Sequence, residues 1–222
     1  MSDCRTRLVE IARKIVDTRL PLHAFAPETG ELCALLGDVS GFDIDPRSDI
    51  SAGETATRAG FAISPTQAAM CAHETARTAA FIRGAYQAVE QAIQVTRCPV
   101  QVLYAGCGPF ALLAVPLMSL FPPHAVQFTL MDIHRQSLDS ARAIVDTLGF
   151  AEHVRGYECK DACDHRFADR QCPDIILSET MNVCLTKEPL VTIARRLLSQ
   201  APEAVLLPSR VFIDLCLVDP AK

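Results

Sequence analysis

Two glycines one residue apart, Gly106 and Gly108, close the apolar run Val102-Leu-Tyr-Ala105 and open onto Pro109 and an alanine- and leucine-rich stretch. The pattern predicts a strand, a tight turn through Cys107, and a helix. Glycine tolerates positive φ and lets a ligand lie against bare backbone. A helix starting there would aim its free N–H groups at that ligand. About 25 residues later a second apolar run, Val126-Gln-Phe-Thr-Leu-Met131, ends in Asp132. An acid at the tip of the second strand is where an α/β sheet holds the two hydroxyls of a ribose. Asp161-Ala162 follows a third, weaker run, and Ser178-Glu179 ends a fourth, Asp174-Ile-Ile-Leu-Ser178. In an open parallel sheet these are all strand C-terminal ends, the edge where ligands bind. The combination points to a nucleoside-containing cofactor.

The chain of 222 residues is half apolar and carries a net charge of -5. That allows one α/β core plus a smaller N-terminal piece. It offers no basic footprint for nucleic acid or an anionic membrane. The N-terminal segment lacks the order of a secretory signal, and no apolar run reaches the ~20 residues that span a bilayer. Ten cysteines are spread evenly, which suits reduced thiols in a cytoplasmic enzyme. Cys159, Cys163, His165 and Cys172 lack a paired C-x2-C knuckle, so buried thiols are preferred there to a zinc site.

The elements that must position these residues follow from spacing. Leu8, Ile11, Ala12, Ile15 and Val16 predict an amphipathic helix over 4–18. Residues 27–64 read as loops with one short helix near 31–36. Ser64-Pro65 fits an N-cap and first-turn proline for a long helix over 65–95. Strands are expected at 101–105, 126–131, 153–158, 174–178, 204–207 and 211–218. Helices are expected at 109–120, 137–148 and from Pro189 to Ser199. The alternation predicts a doubly wound, mostly parallel α/β sheet. An N-terminal helical extension (1–64) would precede a cofactor domain (65–222).

These motifs resemble class I S-adenosylmethionine-dependent methyltransferases over about residues 64–218. Residues 102–110 resemble that family's first motif and Leu130-Met-Asp-Ile133 its second. Asp161-Ala162 is similar to its adenine-contacting pair, and Pro173-Asp-Ile-Ile-Leu-Ser-Glu179 to its fourth-strand motif. The resemblance implies a seven-stranded Rossmann-like sheet and S-adenosyl-L-methionine as cofactor. The implied cofactor contacts are Tyr104, Gly106, Cys107, Gly108, Asp132, Ile133, Asp161, Ala162 and Ser178. A narrower resemblance, to protein arginine methyltransferases, lies in Ser178-Glu-Thr-Met-Asn182 with Glu188. Glu179 and Glu188 are similar to that family's paired glutamates, and Arg77 falls where its helix arginine meets the cofactor carboxylate. Departures are also present. Tyr104 and Phe110 replace an acid and a glycine of the first motif, Thr180 replaces a tryptophan, and the family's C-terminal barrel has no counterpart.

What this implies is methyl transfer to a nitrogen, less readily an oxygen, of a small molecule or peptide side chain. Glu179 would orient the acceptor and Glu188 would second it. Asp132 could instead be a helix-capping acid, which is disfavoured because Ser137 is better placed to start the next helix. Tyr86 and Met181 are further candidates for the substrate wall. Alternatives are an aminocarboxypropyl transferase of nicotianamine-synthase-like type and a non-catalytic cofactor-binding subunit. A nicotinamide oxidoreductase is disfavoured because the turn lacks a third glycine. Residues 1–64 could serve as a lid, a substrate cap or the arm of a homodimer.

Overall fold

The computed structural model describes residues 2–42, 44, 49–95, 99–168, 172–181, 187 and 189–212. Helix α1 (Ser2–Val16) forms as its apolar spacing predicts, with Leu8, Ile11, Ala12 and Ile15 almost free of solvent. Helix α2 (Ala26–Ser40) is far longer than expected. Pro27 falls in its first turn, where a missing N–H costs nothing. Gly30 and Gly37 are carried inside the helix, and Gly41, at φ 64, ends it. Arg83 fastens this N-terminal piece to the rest. Its guanidinium donates to the carbonyls of Ile15 (2.7 Å) and Leu20 (3.1 Å) and lies 4.5 Å from the centre of the Phe25 ring.

A short antiparallel hairpin, β1 (Thr55–Thr57) and β2 (Gly60–Ala62), interrupts the stretch read as loops. The helix expected over 65–95 is two helices, α3 (Pro65–Cys71) and α4 (Thr75–Val95). Ser64 caps α3 as predicted, its hydroxyl accepting the Gln67 N–H at 3.0 Å. The break at 72–74 is held by Thr78, whose hydroxyl donates to the Ala72 carbonyl at 2.9 Å.

Strands and helices then alternate: β3 (Val100–Ala105), α5 (Val115–Leu120), β4 (Val126–Asp132), α6 (Arg135–Thr147), β5 (Val154–Cys159), β6 (Ile175–Leu177), α7 (Leu190–Leu198) and β7 (Val205–Leu207). Leu148, Gly149 and Phe150 close α6. Gly149, at φ 72, donates to Asp146, and Phe150 donates to Val145, as a left-handed C-terminal cap requires. The five strands make one parallel sheet in the order β5-β4-β3-β6-β7. Seven strands were expected; the described residues form five in this sheet. The last expected strand, 211–218, lies mostly outside them.

Strand alternation divides the core. Val102, Tyr104, Phe128, Leu130, Ile175 and Leu177 face α1, α2, α4, α5 and α6. Leu103, Ala105, Met131 and Ile176 face α7 through Ile193 and Leu197. Helices therefore cover both faces, which is the doubly wound arrangement, but they cover them unequally.

Candidate functional site

From β3 the chain steps outward through β4 to β5, then returns to β6 and steps outward to β7. The direction reverses between β3 and β6, and open α/β sheets bind ligands outside the strand ends at that crevice. A cavity of about 110 Å³ lies there, lined by Tyr104 and Gly106 from one side and Glu179 and Thr180 from the other.

The turn after β3 holds both glycines in the left-handed region, φ 75 at Gly106 and 62 at Gly108. The N–H groups of Gly106 and Cys107 both donate to the Met131 carbonyl, at 2.9 and 3.0 Å, tying the turn to β4. A Cβ on Gly106 would stand 2.5 Å from Thr180 Cγ2, so the segment after β6 packs directly on this turn. The helix expected from residue 109 starts only at Val115. Residues 109–114 form turns, with Ala111 at φ 42. The wall is thus turn backbone rather than a helix N-terminus.

Asp132, Ile133, Asp161 and Ala162 line the same cavity. Asp132 is 7 % exposed. Its Oδ2 accepts the Gly108 N–H at 2.9 Å and its Oδ1 accepts the His134 N–H at 2.8 Å. Helix α6 begins at Arg135, two residues before the Ser137 start expected, so Asp132 does help fix the entry to that helix. Asp161 accepts the Cys163 N–H at 2.8 Å, which folds the chain back after β5. Burial raises the Tyr104 phenol and the Cys107 thiol well above their ordinary values. Both are therefore neutral wall groups near pH 7.

Opposite this wall, Arg77 of α4 forms an ion pair with Glu179 and donates to the Met181 carbonyl at 3.0 Å. The cation assigned to a ligand carboxylate and the acid assigned to an acceptor thus hold each other. Ser178 is fully buried behind the cavity, its hydroxyl 3.1 Å from that of Thr180. Met181 contributes the carbonyl that Arg77 grips. Tyr86 stacks on Phe121, with ring centres 5.1 Å apart, and does not line the cavity. Glu188 lies outside the described residues.

Sequence reading missed three features of this site. His134 lines the cavity with Nδ1 3.4 Å from Asp132 Oδ1 and Nε2 3.0 Å from Thr55 Oγ1. Its place two residues after Asp132 was a usable signal; Thr55, 79 positions away, offered none. Lys160 also lines the cavity. The third feature is the hairpin, which contributes Thr57 and Ala62 to the wall. It also touches loops after three strands. Thr55 meets His134 after β4, Arg58 comes within 4.0 Å of Asp164 after β5, and the Phe61 N–H donates to the Lys187 carbonyl (2.8 Å) after β6.

No family model matches the chain, and no curated protein matches it significantly. Solved structures do resemble it. A SAM-dependent methyltransferase from Thiobacillus denitrificans, in complex with S-adenosyl-L-homocysteine, is 17% identical over 57% of this chain and 46% of its own, with a TM-score of 0.38. The plantazolicin methyltransferase BamL is 18% identical over 81% and 56%, with a TM-score of 0.42. The geranyl diphosphate C-methyltransferase of Streptomyces coelicolor A3(2) is 16% identical over 90% and 62%, with a TM-score of 0.40. The chain spans less than two thirds of the length of each. At these scores none of them bears on the site, whose chemistry follows from its own geometry.

Proposed function

We propose that the chain is an S-adenosyl-L-methionine-dependent methyltransferase acting on a nitrogen of a small molecule or peptide side chain. One observation carries this reading. The glycine turn, Asp132 and Asp161 converge on a single cavity at the topological switch point, with Arg77 and Glu179 across from them.

The residues fit the cofactor. Each Asp132 oxygen takes one backbone N–H and keeps acceptor capacity for a ribose hydroxyl. Asp161 and Ile133 stand at the nucleoside end, with Asp161 placed to accept from an adenine amino group. Arg77 would hold the amino-acid carboxylate. The bound cofactor supplies a methyl group on a sulfonium for in-line displacement. The protein's part is alignment. Glu179, once released from Arg77, would orient a neutral amine or guanidine and accommodate charge growing on its nitrogen. Glu188 is assigned the supporting role. A cavity of about 110 Å³ is small beside the roughly 300–1,000 Å³ of typical ligand clefts. Binding would therefore require the wall to yield, and the hairpin of the N-terminal segment 1–64 is the natural lid.

Calorimetric titration with S-adenosylmethionine, S-adenosylhomocysteine and NAD tests the reading. Binding of the first two at about micromolar Kd, with none of NAD, is the expected result. Binding of NAD alone would overturn it. Product mass then separates methyl transfer from aminocarboxypropyl transfer.

A further inference from the structure

The crossovers β3 to β4, β4 to β5 and β6 to β7 each carry a helix, α5, α6 and α7. The crossover from β5 to β6 carries none among the described residues. Helix α7 covers β3, β6 and the Met131 end of β4, so among the described residues the rest of that face of β4 and β5 is left without a helix. A second cavity, of about 410 Å³, occupies this place.

Its floor is polar and bare. Thr129 pairs with Gly156 in the parallel register, and a Cβ built on Gly156 meets nothing within 4 Å. Register slips between Phe128 and Thr129, so Arg155 is an extra residue on β5. Such bulges re-aim a side chain. Here the Arg155 guanidinium reaches across β4 to Gln101 Oε1 on β3, at 2.7 Å, on the cavity side. Lys160 and Arg166 border the cavity too, and Glu158 is the one carboxylate among the described residues that line it. Glu158 is already shared between Lys160 at 3.1 Å and His165 Nδ1 at 3.5 Å.

His165 flanks this group, 7 % exposed, with its Nδ1 3.5 Å from Glu158 Oε2. The loop that carries it is firmly built. Arg196 and Gln200 of the α7 region donate to the His165 carbonyl at 2.9 and 3.0 Å, and the Phe167 N–H donates to Gln200 Oε1 at 3.1 Å.

We propose that this second cavity binds a small anion, a molecule carrying phosphate or carboxylate groups. Arg155 and Arg166 would grip its oxygens through charge-assisted bonds. The site is separate from the proposed methyl-transfer cavity, and among the described residues the two share Lys160 alone.

Titration of the full chain with inorganic phosphate and with citrate, at low salt, tests this. Saturable binding at a Kd of about 1 mM or tighter is expected. The double variant Arg155→Ala, Arg166→Ala should weaken it about tenfold or more, roughly the loss of one charge-assisted bond. Both side chains are exposed, so an unchanged thermal midpoint confirms that the variant is folded. Response to phosphate alone assigns a phosphoryl ligand, and response to citrate alone a carboxylate. S-adenosylmethionine affinity should be equal in the wild type and the variant, so failure of the methyltransferase reading would leave this result standing. Absence of saturable binding to either anion, or equal binding by the double variant, overturns the proposal.

Discussion

The two walls of the crevice between β3 and β6 are fastened by different means. On the β3–β4 side, backbone N–H groups bind the Met131 carbonyl and the Asp132 carboxylate, and Asp132 itself sits on a strand with neighbours on both sides. On the β6 side, a three-residue strand leads into a segment held to α4 by Arg77, through Glu179 and the Met181 carbonyl. The first wall is assembled before any ligand arrives. The second contains an ion pair whose two members are each assigned a different partner in the working complex. Under the proposed function, recognition is thus built into the backbone, whereas the transfer end would exchange partners. A ligand carboxylate that takes Arg77 would release Glu179 in the same event, which links occupancy of one position to readiness of the other.

The sharpest way to break this contrast is Asp132→Ala. It removes an acceptor from two backbone donors as well as from the ligand, and bonds to charged groups are worth about 1.5–3 kcal/mol each. Calorimetry should show S-adenosylmethionine binding weakened by about 100-fold or more. An affinity within about threefold of wild type would mean that the turn needs no carboxylate. Next comes Glu179→Gln, expected to cut turnover by about 100-fold while cofactor affinity stays level or improves. Normal turnover would remove Glu179 from the chemistry. Weaker cofactor binding would show that Glu179 holds Arg77 in place rather than competing for it.

Gly106→Ala sharpens the comparison from the packing side. Alanine at φ 75 costs about 1–2 kcal/mol in backbone strain, and the contact with Thr180 Cγ2 adds to it. Placing the same change beside Thr180→Ser should recover only the contact part. Equal melting losses in both backgrounds would show that the two walls do not press on each other. The smallest effect concerns pH. Burial lowers His153 and His165 below the ordinary histidine value of 6.5. The unfolded chain then binds protons that the folded chain resists. Stability is present in full above about pH 6.5 and falls as pH drops toward the lowered folded values. Thermal melts between about pH 7.5 and 5 should show this decline. His153→Gln should flatten it without touching the crevice, since His153 bonds the Phe121 carbonyl at the opposite end of β4.

The β3–β4 wall was also the more legible in sequence. Continuous apolar runs ending in glycine or aspartate declare both a parallel strand and its carboxyl tip, so Gly106 and Asp132 fall together from the chain alone. The other elements hid for physical reasons. The alanine steps of α3 and α4 keep helical spacing straight through 72–74, because the break is held by a Thr78 side chain and not by a glycine or proline. Pro27 and Gly30 read as helix breakers, yet a proline in the first turn fits and the burial of Leu32, Leu35 and Leu36 outweighs a glycine. Three-residue strands are too short to show alternation, so the hairpin read as loop. The bulge that turns Arg155 is a property of two strands at once and leaves no mark on either. The Thr55–His134 and Arg77–Glu179 contacts bridge distant segments, beyond the reach of any local pattern.

The hairpin has one more implication. Its bonds run to loops that otherwise belong to separate crossovers, much as one rivet passes through three plates. Arg58 projects at its tip with a side chain 86 % exposed, a natural point for a tryptic cut. A single nick there would unfasten three parts of the rim together, so injury at one exposed residue would be felt around the whole mouth of the crevice.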